Sequence, residues 1–431
     1  MNLRAVLAGK WKWLYPGLGI KRWLLLLVVG IVVTSLAGAL LLLHAVVSPS
    51  SADVSGHPLL ALLLPWTWPI LLGLLGLAVV ATALVRLNQT LLSPFLAPGQ
   101  KSRVAELIYR HRQKDRGPRV VAVGGGTGLS SLLRGLKEHT THITAIVTVA
   151  DDGGSSGRLR QQLGVLPPGD FRNCLCALAD DEDLLTQLFR YRFGQNAVDG
   201  HSFGNLFITA MSGITGDFER ALEESSRVLA VRGRLLPSTL ENVMLCADFQ
   251  GEAEALGSGR MVEGESQIPK AGLPIERVFL RPDRVRAYPP ALQAILAADL
   301  IVIGPGSLYT SVLPNLLVPD IVKAIRASRA IKVYVCNVAI QPGETDGYDV
   351  AAHVAALERH VGLGLFDFVL ANDRFDMSLP DHLPREELVV LGPDVPSDYH
   401  LVAADVVDLT NPWRHDPHKL VTVLMQLYEQ K

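Results

Sequence analysis

The sequence contains few cysteines and no two of them separated by two residues. Its 431 residues include four cysteines, each with at least one apolar neighbour: Cys174, Cys176, Cys246 and Cys336. A disulfide framework, or a zinc site built from paired cysteines, needs more of them at characteristic spacings. We therefore assign these thiols to the packed interior of a protein domain in a reducing compartment.

The sequence also lacks the excess of positive charge that nucleic-acid binding requires. Its 40 lysines and arginines are balanced by 42 aspartates and glutamates. Residues 1–118 hold 12 basic and 3 acidic residues, and the remainder holds 28 basic and 39 acidic ones. A large acidic segment is a poor match for a phosphate backbone. We expect no nucleic acid among the partners of this protein.

Long apolar runs are found near the amino terminus, at Trp23–Val47 and Leu59–Val85. Both exceed the roughly 20 residues that a helix needs to cross a bilayer. A secretory signal has a shorter apolar core and is not followed at once by a second span. Residues 1–99 are therefore predicted to form a two-helix transmembrane hairpin, with spans at about 23–47 and 59–85.

The charges around the two spans predict the orientation of the hairpin. Basic residues flank its outer ends: Lys10, Lys12, Lys21, Arg22, Arg86, Lys101 and Arg103. The connecting segment Ser48–Pro58 carries only Asp53. Because cationic flanks stay in the cytoplasm, we expect a multi-pass membrane protein whose large carboxyl-terminal part is cytoplasmic. Residues 100–118 form a basic juxtamembrane linker, which either lies against anionic lipid headgroups or is a solvated helix.

Residues 119–431 alternate short β-rich runs with helical stretches. Strands are expected at Val120–Val123, Ile143–Val149, Asp299–Ile303, Lys332–Cys336 and Phe366–Leu370. This alternation predicts an α/β domain with a Rossmann-like, doubly wound and mainly parallel sheet. Three segments interrupt it and predict a small β-rich insertion: Asn242–Phe249, Arg260–Glu265 and Glu276–Leu280.

Three of the strand-to-helix connections are rich in glycine. Backbone N–H groups at such a helix start form an anion site when no side chain intervenes. The carboxyl ends of parallel strands meet at one edge of the sheet, where ligands bind. We therefore expect a phosphate site, although tight turns also use glycine for steric reasons. The glycines concerned are Gly124, Gly125, Gly126, Gly128, Gly304 and Gly306.

Polar side chains in these turns are the candidate ligand contacts. Arg158 is predicted to bind a phosphate, with a surface salt bridge as the alternative. Asp151 and Asp152 are expected to bind sugar hydroxyls or to hold Mg²⁺ through waters, with turn capping as the alternative. Ser307 is also suited to cap the helix that follows it. Hydroxyl groups are supplied by Thr127, Ser155, Ser156 and Ser307.

Four further residues are candidate ligand contacts that also have a second interpretation. Asn173 and Asn205 precede apolar helical runs, where asparagine either caps the helix or contacts a base or sugar. His201 has no second His or Cys at a zinc-binding spacing, so we expect it to form a hydrogen bond with the ligand, with general base catalysis as the alternative. Tyr309 follows the third turn, and its ring either stacks on the ligand or packs inside the protein.

Several ordered segments resemble the YvcK-type gluconeogenesis factor family. They are residues 124–137, 149–160, 167–173, 200–206, 304–311 and 341–347, and they include the motifs GGGTG, VADDGGSSGR, GPGSLYTS and QPGETDG. The resemblance implies a Rossmann-like bacterial protein that binds UDP-sugars such as UDP-N-acetylglucosamine. It also implies a role in carbon metabolism, cell-wall synthesis and cell shape, and a fold similar to CofD, the 2-phospho-L-lactate transferase.

The resemblance adds two candidate ligand contacts, Asn337 and Gln341, in a late motif. Between them this chain has Ala339 and Ile340, where the family often has Met-Thr, so one hydroxyl contact is missing. The amino-terminal hairpin is a second departure from soluble members of the family. It places the ligand-binding domain at the bacterial cell membrane.

Three functions remain open at this point. In the first, a non-enzymatic UDP-sugar sensor acts as a homo-oligomer or on a cell-wall or metabolic protein. In the second, the domain is a transferase in which Mg²⁺ and Arg158 neutralise a diphosphate. The third, an NAD-dependent oxidoreductase, is the weakest, because Gly-Gly-Gly-Thr-Gly departs from the G-x-G-x-x-G fingerprint. We favour the sensor.

Overall fold

The protein is represented by a computed structural model. It describes residues 20–47, 58–92, 117–179, 184–194, 198, 200–250, 261–375, 388–392 and 399–430. The chain divides into two compact units, Met1–Tyr109 and Arg110–Lys431. Apart from Gly117 and Pro118, the predicted basic linker lies outside the described residues.

The amino-terminal unit contains two long apolar helices, α1 (Ile20–Val47) and α2 (Pro58–Leu92). Within them, Ile20–Leu43 and Trp66–Thr90 are long and apolar enough to cross a membrane. Glycines let the two helices pack closely, since an added Cβ on Gly30 would lie 2.8 Å from the Val80 side chain. The sequence prediction of two apolar helices is confirmed.

The carboxyl-terminal unit is built on a seven-stranded sheet in which every neighbouring pair is parallel. The five expected strands are present, and two unexpected strands, β3 and β10, form the edges. The strands are β1 (Val120–Gly124), β2 (Ile143–Val147), β3 (Arg234–Pro237), β7 (Leu300–Ile303), β8 (Ile331–Val335), β9 (Phe368–Asn372) and β10 (His400–Ala404).

The order of the strands creates a crevice at the centre of the sheet. The order is β10-β9-β8-β7-β1-β2-β3, so the chain builds one side outward from β1 and the other outward from β7. Connections from β1 and β7 therefore leave in opposite directions at their carboxyl ends. In open α/β sheets this switch point is where ligands bind. β1 is buried along its whole length, as its apolar sequence requires for a central parallel strand.

Helices surround this sheet. Those of the first half are α3 (Gly126–Leu136), α4 (Gly154–Leu163), α5 (Gly169–Leu178), α6 (Leu184–Arg190), α7 (Phe203–Thr215) and α8 (Phe218–Val228). Those of the second half are α9 (Pro289–Ala297), α10 (Leu313–Leu316), α11 (Pro319–Ala327), α12 (Val350–Val361) and α13 (Pro417–Glu429). The four cysteines are buried and free, as the sequence predicts.

The predicted β-rich insertion is a three-stranded antiparallel sheet. Its strands are β4 (Met244–Phe249), β5 (Met261–Glu263) and β6 (Ile275–Arg281), in the order β5-β4-β6. The short turn after β5 is important for the site. Ser266 donates its backbone N–H to the Asp152 carboxylate at 2.8 Å, so the insertion is fastened to the turn after β2.

Candidate functional site

A cleft of about 650 Å³ opens at the switch point between β1 and β7. Its walls are the glycine turns that follow these two strands, and a loop near the carboxyl terminus completes it. The sequence-predicted residues that line it are Gly125, Gly126, Thr127, Gly128, Asn173, Gly306, Ser307, Asn337 and Gln341. The fold therefore brings sequence-predicted residues from four separated segments together in one cavity.

The turn after β1 presents the start of α3 to the cleft. The helix begins at Gly126, three residues earlier than the expected Leu129, and its N-cap residue, Gly125, has no side chain that could cap it. Gly128 is required by the close approach of the second wall. A Cβ at this position would lie 2.5 Å from the Pro305 carbonyl oxygen. Uncapped N–H groups at a helix start attract negative charge.

The turn after β7 forms the opposite wall. Gly306 donates its N–H to the Asn337 side-chain oxygen at 3.2 Å, so the late motif and this turn are joined. Ser307 occupies the N-cap position of a short π-helix, Leu308–Val312, but its side chain makes no capping bond. The expectation that its hydroxyl caps the helix is wrong, and Ser307 instead lines the cleft.

Tyr309 does not reach the cleft. Its side chain is fully buried, and its hydroxyl shares a 2.8 Å hydrogen bond with that of Tyr348. Its ring packs edge-on against Tyr348 and His360. The stacking role is therefore wrong for this residue, because the π-helix turns the ring into the protein core.

The turn after β2 lines a separate side pocket of about 180 Å³. This pocket shares Asp170 and Asn173 with the cleft, so the two cavities adjoin. Helix α4 begins at Gly154 without a side-chain cap. The sequence-predicted residues that line the pocket are Asp151, Ser155, Ser156, Asn173 and Asn205.

The two asparagines are not helix caps. Asn173 lies inside α5, and Asn205 lies in the first turn of α7, where Ser202 is the capping residue. Asn205 donates from Nδ2 to the Ser155 hydroxyl at 3.0 Å. His201 contacts the same hydroxyl through Nδ1 at 2.8 Å, and it is buried behind the pocket wall. His201 therefore supports a residue of the pocket and lines neither cavity.

The two aspartates after β2 have different surroundings. Asp151 lines the side pocket and accepts the Gly153 N–H at 2.8 Å, and burial raises the pKa of its carboxyl. Asp152 lines neither cavity and accepts the Ser266 N–H. Within the described part of the chain, no three acidic, His or Cys side chains are grouped as metal ligands. The geometry favours the capping alternative for Asp152, and Mg²⁺ binding through waters stays a prediction.

The cations at the site differ from the one expected. Arg158 lines neither of the two cavities, and its contact with a phosphate stays a prediction. Arg172 and Arg192 line the side pocket, and Arg414 lines the cleft. Arg172 belongs to the Pro-Pro-Gly-Asp-Phe-Arg-Asn motif, which is a usable sequence signal.

Two of the predicted glycines shape the turns around the cleft without lining it. Gly124 ends β1, and its carbonyl accepts hydrogen bonds from the Thr148 N–H at 3.1 Å and from Asn315 Nδ2 at 3.0 Å. Gly304 donates its N–H to the Val123 carbonyl at 2.8 Å and has a φ of +80°. Both residues therefore shape the turns and do not line the cleft.

Acidic side chains missed by the sequence analysis lie beside the cleft. Burial raises the pKa of Asp170 to about 7, and the nearby Asp151 charge adds to this effect. Asp170 accepts the Gly126 N–H at the start of α3. Glu265, from the insertion, also lines the cleft, and burial raises the pKa of its carboxyl well above the usual range. The Asp170 carboxyl is thus only partly ionised near neutral pH.

A loop between β10 and α13 supplies three more lining residues, Trp413, Arg414 and His415. His415 is fixed by a 3.0 Å bond from its Nε2 to the Cys336 carbonyl. Burial lowers the pKa of His415 to about 4, so this bond comes from a neutral ring. The exposed indole ring of Trp413 is suited to stack on a base, and the exposed guanidinium of Arg414 is suited to bind a phosphate.

Comparison with known proteins identifies relatives of this architecture. The family model described as 2-phospho-L-lactate transferase CofD matches residues 120–404. The gluconeogenesis factor of Bacillus subtilis is 47% identical over 73% of this chain and 99% of its own. A Nostoc sp. relative, also named as a gluconeogenesis factor, is 48% identical over 97% of this chain and 92% of its own.

A solved structure agrees with the fold. A crystal structure of a Bacillus halodurans protein has a TM-score of 0.65 and 46% sequence identity, and it covers 72% of this chain and 100% of that one. The family model spans more than half of this chain, and the relatives align over nearly their full lengths. The chain therefore belongs to the CofD family, together with relatives that are named gluconeogenesis factors.

Proposed function

We propose that the carboxyl-terminal unit binds a nucleotide-diphosphate sugar, such as UDP-N-acetylglucosamine, in the cleft between β1 and β7. In this proposal the protein is a regulator of carbon metabolism, cell-wall synthesis and cell shape. The names of its relatives support the metabolic part of this role. Its targets are a second copy of the chain or a cell-wall or metabolic protein.

The observation that carries the proposal is the composition of the cleft. One wall offers N–H groups at the start of α3, and the loop between β10 and α13 offers an exposed guanidinium and an indole ring. The volume of about 650 Å³ lies within the range of about 300–1,000 Å³ that is usual for small-molecule sites. In this proposal the diphosphate lies between the start of α3 and the Arg414 guanidinium, and the base lies beside Trp413.

The proposal predicts that Arg414→Ala weakens the binding of UDP-N-acetylglucosamine. A hydrogen bond to a charged group contributes about 1.5–3 kcal/mol, so we expect affinity to fall by about 10- to 100-fold. Calorimetry on the full chain in detergent measures this loss. Arg227→Ala is the matched control, because Arg227 is exposed on α8 and pairs with Glu224.

Two outcomes contradict this proposal. If the wild-type chain gives no heat with any UDP-sugar, then the ligand class is wrong. If Arg414→Ala and Arg227→Ala bind equally, then the diphosphate does not lie at the carboxyl-terminal loop. UMP, UDP and the UDP-sugar are compared in the same series, since the loss should appear only when the second phosphate is present.

A transferase is the second candidate function. The matching family model is described as a 2-phospho-L-lactate transferase, and Asp170, with a pKa of about 7, lies between the cleft and the side pocket. A carboxyl with that pKa can accept a proton from an acceptor hydroxyl near neutral pH. Formation of product from a nucleotide-diphospholactate and a deazaflavin acceptor, with Mg²⁺ present, would support this function. If no product forms at any Mg²⁺ concentration, then the regulator is the remaining candidate function.

The same proposal places the protein in the bacterial membrane with the cleft in the cytoplasm. Support comes from the two apolar helices and from the basic residues at their outer ends. A tether of this kind keeps a nucleotide-sugar sensor at the membrane, where the cell wall is assembled from such sugars.

A further inference from the structure

The side pocket next to the cleft has the properties of a separate small-anion site. Its volume of about 180 Å³ is below the range of about 300–1,000 Å³ that is usual for larger ligands. It contains the start of α4, and the first-turn N–H groups there have no side-chain cap. Arg172 and Arg192 also line this pocket, and their guanidinium groups give it positive charge.

The two arginines are held in place by neighbouring groups. Arg172 donates from Nη1 to the Ser202 hydroxyl at 2.6 Å and from Nη2 to the Asn173 side-chain oxygen at 2.8 Å. Its Nε is buried and makes no hydrogen bond to the described residues. Arg192 donates to the Gly200 carbonyl at 2.8 Å. Burial lowers the pKa of Arg172, and the charge of Arg192 contributes to the same shift, so the two cations are neighbours.

The pocket also contains acceptors that a fully ionised anion cannot satisfy. Asn205 is only 2% exposed, and its side-chain oxygen has no hydrogen-bond partner among the described residues. The carboxylates of Asp151 and Asp170 line the same space. A ligand that fits must therefore accept hydrogen bonds from cations and N–H groups, and must also donate at least one.

We propose that this pocket binds hydrogen phosphate, either free or as the end of a small phosphomonoester. Hydrogen phosphate has ionised oxygens for the arginines and α4, and a P–OH group for Asn205 or an aspartate. Sulfate has the same shape and charge but no proton to donate at neutral pH.

The test is calorimetry of the full chain in detergent with inorganic phosphate and with sulfate. We expect one phosphate per chain and sulfate binding weaker by about tenfold or more, because sulfate leaves buried acceptors unpaired. Arg192→Ala should weaken phosphate by about tenfold. Arg227→Ala, on the surface of α8, is the matched control. Arg192 is exposed, so its removal tests binding with little risk to folding.

The remaining outcomes are equally definite. Equal binding of phosphate and sulfate would overturn the proposal, and so would phosphate binding that Arg414→Ala reduces and Arg192→Ala does not. Glycerol 3-phosphate distinguishes the two sources, since it binds as well as phosphate only if the pocket accepts a monoester. Arg192-dependent phosphate binding in a chain that binds no UDP-sugar would sustain this site and reject the nucleotide proposal.

Discussion

Asp170 links the two cavities, and its surroundings predict how the protein responds to pH. Burial and the Asp151 charge disfavour its ionised form, which raises its pKa to about 7. In the unfolded chain the group ionises near pH 4. Ionisation therefore costs the folded state more than the unfolded one. The contribution of Asp170 to stability becomes less favourable as pH rises from about 4 to about 7, and stays constant above that.

This reasoning predicts that Asp170→Asn stabilises the protein more at pH 8 than at pH 5. The amide keeps an oxygen for the Gly126 N–H but cannot ionise. Two pKa units separate pH 5 from the folded-state value, so the advantage of the variant should grow by about 3 kcal/mol. Melting temperatures of both proteins between pH 5 and pH 8 measure it. An advantage that does not change with pH would mean that the carboxyl titrates normally.

Individual site residues were predictable where the backbone alone decides their position. Gly126, Gly128 and Gly306 line the cleft because strand ends and tight turns place them there. Arg158 and Tyr309 line neither cavity, because the packing of each helix, which sequence spacing does not reveal, determines where its side chains point. Trp413 was missed because its loop follows β10, an edge strand whose mixed exposure gives no alternating or continuous apolar pattern.

Among the secondary-structure elements, the contact between α1 and α2 can be tested by cross-linking. Ideal Cβ atoms on Gly73 and Ala37 are 3.5 Å apart, and a disulfide requires about 3.5–4.5 Å between Cβ atoms. The double variant Ala37→Cys/Gly73→Cys should therefore form a disulfide in oxidised membranes. Maleimide titration of the denatured chain should show two fewer free thiols than after reduction.

A neighbouring pair provides the control for this experiment. An added Cβ on Gly38 has no atom within 4 Å, so Gly38→Cys/Gly73→Cys should keep all of its thiols. The four native cysteines are buried and should contribute equally to both variants. Disulfide formation in the control pair, or its absence in the test pair, would show that α1 and α2 meet through different faces. Small residues at such interfaces allow close approach within a membrane.

The central strands of the sheet could be predicted from the sequence, whereas its edge strands could not. Central strands such as β1 and β7 were predictable because a parallel strand buried on both faces has a continuous apolar sequence. The edge strands β3 and β10 are as short as the central strands, but each has an exposed end. Their assignment depends on pairing with distant strands, which no local pattern encodes.

For the whole molecule, the distribution of charge predicts on which side of the membrane the cleft lies. Residues 1–118 carry 12 basic and 3 acidic residues, and the segment between the spans carries Asp53 alone. Basic flanks resist translocation, so both ends of the hairpin should remain in the cytoplasm. A cysteine introduced by Ser50→Cys, between the spans, should then react with an impermeant maleimide in intact spheroplasts. One introduced by Ser102→Cys should react only after permeabilisation, and the opposite pattern would place the cleft outside the cell, away from the cytoplasmic supply of nucleotide sugars.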